Sequence, residues 1–544
     1  MKPAWCIAVF AAAVAFAQQP YIETFELRLH NLDAVVTDAK GEPVRGLTKD
    51  DFIVLENGAP QNITNFSVYD TTPSETTGSQ PVDDEEPEPE SPRRFIFFVD
   101  DMSLRKPIRE SLIRDANTLI EQLEENDLIA VVRPIGAKRM PQPFTTNRAA
   151  AREVLTEAIE SCKLRLTGSH ASRSRMDNAR EEGEARYARR EYIQSERERV
   201  EQRLSQLRAL IASMAGVEGR KVLVLLTEGI PSIPGRDVMD PFGRIGAERP
   251  VDDWGQTGED LNPLIDELGR TAAANGVTIY ALEPELSFNA AIPRIQTGAE
   301  KLRARGSDAQ ARSQPIVERE AHGERMHYQA QTLRSLSERT GGRWSRGAAT
   351  IDDVFRQVAT DLSVYYSMAY RATGEENKPR RVTVQVRDRP ELTVRTRTEV
   401  IERSAAREMG DLVASTLLFP RNVNELRISL ETGKPKRKGS TVTIPIDVVI
   451  PLETMTFIRA DNGKYAAALD IHHSVAGLER PFATTGRHRQ DVVISADEYK
   501  KRKTINYRFK TGIEVWRGPT RIAIGVMDPV SHLVGFRTAD VNAQ

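Results

Sequence analysis

At 544 residues the chain is longer than one hydrophobic core sustains, and three or four domains are expected. Net charge is −2, with 28% charged residues and a pI near 6.5. That balance argues against a nucleic-acid binder, whose mark is a clustered basic surface, and no run beyond the first residues approaches the ~20 apolar residues of a stable membrane span.

Residues 1–17 read as a secretory signal: Lys2 supplies the positive start, Ala4 to Ala17 the apolar stretch, and Ala15-Phe16-Ala17 the small-x-small cleavage site. An exported protein, periplasmic or extracellular, is the expectation. Cys162 is then the one cysteine left, so no internal disulfide is expected. Residues 21–70 alternate apolar and polar side chains between turn signals and predict a small β module. Residues 71–92 turn acidic and proline-rich, as in Asp83-Asp84-Glu85-Glu86-Pro87-Glu88, which predicts an extended linker.

From Arg93 the pattern becomes strand followed by helix. Phe95-Ile96-Phe97-Phe98-Val99 is an apolar run stopping on Asp100-Asp101, and Val222-Leu223-Val224-Leu225-Leu226 stops on Thr227-Glu228. Such runs predict parallel strands buried on both faces, delivering acids to the sheet edge where open α/β sheets hold ligands. Ile108, Leu112, Ala116, Leu119 and Leu123 share one helical face, Leu128 to Val132 is a strand, and Arg148 to Ile159 a helix. Residues 163–199 interleave Glu and Arg and predict a solvated helical insertion; the face turns core-like at Val200, Leu204, Leu207, Ile211 and Met214. Gly276 to Leu282 predicts a strand, 284–325 a loop insertion, Asp352 to Leu362 a helix, and Tyr365 to Tyr370 a terminal strand. The resulting expectation is an α/β class, a doubly wound, mainly parallel sheet over 93–372. The small β module precedes it, a β extension at 378–403 follows, and a β-sandwich-like domain fills 405–544.

Phe95 to Ser103, Phe144-Thr145-Thr146-Asn147, Leu166-Thr167-Gly168, Leu226-Thr227-Glu228-Gly229 and Gly276 to Leu282, in that order, resemble a von Willebrand factor type A (VWA) domain. Val44 to Phe52, Arg339-Thr340-Gly341-Gly342 and the Tyr365 to Tyr370 strand narrow the resemblance to secreted VWA-related proteins of the acidobacterial type, over roughly residues 25 to 400. It implies a Rossmann-like sheet and a metal-ion-dependent adhesion site, whose first loop carries Asp-x-Ser-x-Ser, with a loop threonine and a fourth-strand Asp. Such a site holds Mg²⁺ through hard oxygen donors and bridges to a partner's carboxylate. Carried onto this chain, the metal ligands would be Asp100, Asp101, Ser103, Thr167 and Glu228. The pattern is degenerate: Arg105 stands at the second serine if Asp101 anchors the loop, Met102 and Leu104 replace both serines if Asp100 does, and Glu228 replaces Asp. A metal-free alternative stands beside it, in which Asp100 or Asp101 caps a helix and Glu228 pairs with Arg105.

His472-His473 adjoin in a strand and cannot chelate one ion together, and His532 falls in a hairpin loop. No phosphate loop, zinc spacing or nucleophile elbow is present. The function expected is a non-enzymatic, exported, adhesion-type protein binding a protein or peptide ligand at the sheet edge. Two alternatives are a metal-free envelope scaffold using the charged helix for contacts, and a hydrolase with Asp101 and Glu228 as general acid and base.

Overall fold

The computed structural model describes residues 29–70, 92–100, 103–104, 109–133, 142–162, 182–217, 219–227, 229–234, 260–283, 331–346, 351–371, 374–417, 419, 421–439, 441–460, 463–477 and 483–543. The signal segment, the linker apart from Pro92, the 284–325 loop and residues 163–181 of the charged insertion lie outside these.

Four strands open the described chain: β1 (Leu29–Thr37), β2 (Phe52–Glu56), β3 (Ala59–Gln61) and β4 (Ile63–Asp70). They do not form a module of their own. β1 and β4 flank β11 (Val364–Arg371), with β13 (Thr393–Arg395) on the far side of β1. β2 pairs with β12 (Pro379–Val386) on one side and with β3 on the other, and β14 (Glu399–Ile401) lies beyond β12. The two four-stranded sheets share one core, including Leu32, Val36, Phe52, Val54, Tyr366, Met368, Val382 and Val384. Segments some 300 residues apart in sequence therefore make one antiparallel sandwich, and the strict alternation of exposed and buried residues along β12 shows one face of the strand turned inward.

Between β4 and β11 the chain builds a six-stranded sheet from β5 (Arg94–Val99), β6 (Leu128–Val132), β7 (Gln142–Thr145), β8 (Lys221–Leu226), β9 (Val277–Glu283) and β10 (Trp344–Arg346), in the order β10-β9-β8-β5-β6-β7. All neighbours are parallel except β6 and β7. The apolar runs near 97 and 224 lie side by side, Phe97 opposite Val224. Phe95, Phe97, Val99, Val222, Val224 and Leu226 face one layer of helices, α1 (Arg109–Gln122) and α2 (Arg148–Glu160) among them. Ile96, Phe98, Leu223 and Leu225 face the other, with α3 (Glu182–Met214) and α4 (Asn262–Ala274). A period of two with apolar residues at every position is what burial on both faces requires.

The expected fold class, α/β on a doubly wound mainly parallel sheet, is corrected here. Among the described residues strand outweighs helix, 43% to 31%, and four of the five sheets are antiparallel throughout. The reading over-extended because Tyr365 to Tyr370 follows directly on the helix α6 (Ile351–Ser363) and so mimics another parallel strand. Its partners are β1 and β4, in a different sheet. The charged insertion is corrected too. Ala188, Tyr192 and Ile193 of α3 are buried, so that stretch is covered rather than fully solvated.

Two glycines bind the sheet to the sandwich. After the helix at 331–339, here α5, a Cβ on Gly342 would stand 2.0 Å from Ile279 O, and one on Gly341 (φ +78°) 2.7 Å from Thr396 C. Thr340 Oγ1 accepts from Ile279 N at 2.9 Å, and Thr398 N donates to Arg339 O at 3.0 Å. Beside this loop Asp361 of α6 is completely buried and receives two forked guanidinium groups: Arg343 at 2.8 and 3.0 Å, Arg395 at 2.6 and 2.5 Å.

The C-terminal part is a second sandwich. β15 (Ser429–Thr432), β16 (Lys436–Lys438), β17 (Thr441–Pro451) and β21 (Asn506–Trp516) make one sheet; β18 (Ile458–Arg459), β19 (Tyr465–Gly477), β20 (Ala483–Ile494), β22 (Gly518–Met527) and β23 (Val534–Ala543) the other. Their common core holds Ile444, Ile446, Val448, Leu469, Ile471, Ile522 and Ile524. The helix α7 (Ala405–Thr416) docks it through Met409 and Val413 on Ala523 and Phe536. Its backbone crosses Gly216 so closely that a Cβ there would lie 2.6 Å from Leu412 Cα. Among the described residues no helix is long and apolar enough to cross a membrane.

Asp361→Asn, which keeps the volume but removes the charge, is expected to lower unfolding free energy by about 3 kcal/mol, because two partly buried guanidinium groups lose their counter-ion. Urea titration checks it, and a change under about 1 kcal/mol contradicts the assignment. Acid should weaken the fold through its buried imidazoles. Burial, then Arg397 and Arg380, lowers the pKa of His30 to about 4, and burial with Arg487 lowers His472 to about 4. Between pH 6.5 and 4 the unfolded chain binds protons the folded one refuses. Stability should therefore fall as pH drops through that window, by on the order of 2–3 kcal/mol per histidine. Urea midpoints at pH 7 and 5 measure it, and His30→Gln should flatten the slope.

Candidate functional site

Asp100 leaves the C-terminal end of β5 and is completely buried. Its N–H donates to Leu226 O at 3.0 Å, continuing the pairing with β8 one residue past the strand. The chain then turns. Ser103 N and Leu104 N donate back to Asp100 O at 3.2 and 3.3 Å, which aims Ser103 Oγ at the carboxylate. Ser103 Oγ donates to Asp100 Oδ2 at 2.7 Å; Thr227 Oγ1, just beyond β8, donates to the same oxygen at 2.7 Å. The two hydroxyls stand 3.1 Å apart. Gly229 (φ +112°) turns the backbone so that its N–H donates to Thr227 Oγ1 at 3.1 Å.

A cation closes the arrangement. Arg203, from the face of α3 that also carries Val200, Leu204 and Leu207, is 5% exposed. Its Nη1 donates to Gly229 O at 2.8 Å and stands 3.4 Å from Asp100 Oδ2. Its Nε has no hydrogen-bond acceptor among the described residues. The site is thus a buried carboxylate held by two hydroxyls and faced by a guanidinium. These described partners are not bases at neutral pH, so what the group offers is fixed, preorganised charge.

Of the expected metal ligands, Asp100 and Ser103 come together, while Asp101, Thr167 and Glu228 lie outside the described residues. Mg²⁺ requires near-octahedral oxygens at about 2.0–2.1 Å. Asp100 Oδ2 already accepts from two hydroxyls, and an ion bound there would meet the Arg203 charge at close range. Asp100 and Ser103 alone do not complete the oxygen set that Mg²⁺ requires, and Arg203 stands beside them. Among the described residues no three His, Cys, Asp or Glu side chains converge.

Thr227 and Arg203 were not among the expected ligands. Thr227 sits in the motif from which Glu228 was chosen for its charge, but it is the residue whose hydroxyl reaches Asp100. Arg203 had a readable signal: it lies three residues after Val200 and four before Leu207, a charge on an apolar face. The lesser candidates are accounted for by packing. His472 is buried, His473 stacks on His488 at 5.6 Å, His532 occupies a turn at φ +59°, and the Cys162 thiol donates to Ala158 O at 3.3 Å.

No family model matches the chain, and no curated protein matches it. Among solved structures, the pilus adhesin SpaC from Lactobacillus rhamnosus GG in its open conformation aligns at 8% identity over 89% of this chain and 58% of the adhesin, with a TM-score of 0.26. The solution structure of R. palustris CsgH aligns at 8% identity over 21% of this chain and 92% of CsgH, with a TM-score of 0.13. This chain therefore spans little more than half the length of the adhesin. At these scores neither likeness carries an argument about fold or activity.

Removing either charge strands the other in a buried site. Arg203→Met and Asp100→Asn should each cost about 3 kcal/mol, and the double variant clearly less than their sum. A double-mutant cycle in urea measures the coupling; additivity within about 0.5 kcal/mol means the pair does not interact.

Proposed function

We propose that the protein is an exported binding protein of the adhesion type, without a catalytic step, that holds a protein or peptide ligand at the C-terminal edge of its six-stranded sheet. The observation carrying this reading is the Asp100 group: a fully buried carboxylate fixed by Ser103 and Thr227 and faced by Arg203. It lies at the strand ends where open sheets place their ligands. The finer form of the reading is a degenerate adhesion site of the VWA-related kind. Asp100 and Ser103 lie in the first loop without keeping the Asp-x-Ser spacing, and the Arg203 guanidinium supplies the positive charge otherwise provided by Mg²⁺. Its export to periplasm or exterior belongs to the same proposal and rests on the N-terminal segment.

Selection of phage-displayed peptides on the full chain, in EDTA, tests the reading. Enriched peptides should bind Ser103→Ala and Asp100→Asn at least tenfold more weakly than wild type. Peptides that bind these variants equally well, or bind wild type only when Mg²⁺ is restored, overturn it.

A further inference from the structure

The opposite end of the same sheet carries an unused cavity. It has a volume of about 560 Å³ and lies where the N-terminal ends of β5, β8 and β9 meet the first sandwich. Volumes of this size suit a small ligand. Its walls are polar, and cations dominate them.

Half of those cations have close counter-ions. Arg93 forks onto Asp127 at 2.8 and 2.7 Å, Arg395 is held by Asp361, and Arg403 meets Asp411 at 3.1 Å. Arg220, Lys221 and Arg397 remain, and the nearest described carboxylate is Asp33, 3.7 Å from Arg220 Nε and about one-third exposed. The Arg220 side chain is 7% exposed and lies over the Tyr365 ring, 4.0 Å from its centroid; its Nε and Nη1 have no hydrogen-bond acceptor among the described residues. Lys221 is 9% exposed, and its Nζ donates to Val217 O at 3.0 Å. Arg397 donates to the carbonyls of Asn31 and Ala273, and its Nε has no hydrogen-bond acceptor among the described residues. Gly276 (φ +65°) keeps the space between them open: a Cβ there would stand 3.3 Å from Arg397 Nη1 and 3.8 Å from Lys221 Nζ.

One buried cation, Lys221, and two half-buried ones, Arg220 and Arg397, against a carboxylate about one-third exposed make an expensive arrangement without an anion. Burial first, then Arg403, Arg397 and Arg94, brings Lys221 down to about 7, with Asp33 opposing. Burial likewise lowers Arg397 to about 10. The donors approach from the start of β8 and from the segment after β13. A tetrahedral anion, with acceptors in several directions, matches that spread better than a planar carboxylate.

We infer that this cavity, framed by Arg220, Lys221, Arg397 and Gly276, binds a small ligand through a phosphate or sulfate group. It is separate from the Asp100 edge and does not depend on the function proposed for that edge.

The test is a melting and calorimetry series on the full chain with sulfate, inorganic phosphate and succinate, against sodium chloride at equal ionic strength. Sulfate and phosphate should raise the melting temperature by on the order of 3 °C at 10 mM. Sulfate, which does not titrate in this range, should bind more weakly at pH 8.5 than at pH 6 as Lys221 loses its proton. Lys221→Met removes a buried unmatched charge, so it should melt higher than wild type without anion and lose the sulfate response. That gain cannot come from misfolding. Equal melting in sulfate and chloride, preference for succinate, or a full sulfate response in Lys221→Met overturns the inference.

Discussion

Asp361 is the point through which the molecule is tied together. One buried carboxylate takes both forks of Arg343, at the mouth of β10, and of Arg395, on β13 of the sandwich, while its own helix covers the six-stranded sheet. Among the described residues neither guanidinium has a comparable partner, so loss of the carboxylate leaves two partly buried charges at a seam between modules. The adjoining Arg339-Thr340-Gly341-Gly342 turn acts by closeness rather than charge, since no side chain fits at either glycine without moving β9 or the Thr396 backbone. Charge pairing and steric closeness act at the same seam.

That seam separates the two ends of the sheet by chemistry. At the C-terminal end Asp100 is satisfied: hydroxyls and a guanidinium surround it, and the group is rigid. At the N-terminal end the charges outnumber their partners, and the first sandwich roofs the space they face. A parallel sheet presents two unlike edges by construction, because every strand begins at one and ends at the other.

How much of this was legible depended on sequence distance. The burial of Phe95 to Val99 and Val222 to Leu226 could be read directly, because unbroken apolar runs of that length suit strands covered on both faces. The sandwich pairings could not. β12 shows clean alternation, but nothing local says that Val384 lies opposite Val54, so a module and an extension stood where one discontinuous sandwich exists. The class of the whole chain was misjudged for the same reason, as β11 looks like a parallel strand until its partners are known. At the site, Asp100 was legible from its place after an apolar run. Arg203 was not paired with it because the contact joins a helix to a strand end far away in the chain.

The interleaving of β1 to β4 with β11 to β14 has a consequence for biogenesis. During synthesis or export the first four strands emerge roughly 300 residues before the strands that complete their sheets. At about 5–20 residues per second that is on the order of 15–60 s with unmatched edges and an uncovered apolar face. The sequence that follows them is acidic from Asp83 to Glu90, and that like charge would discourage premature association with a neighbouring nascent chain.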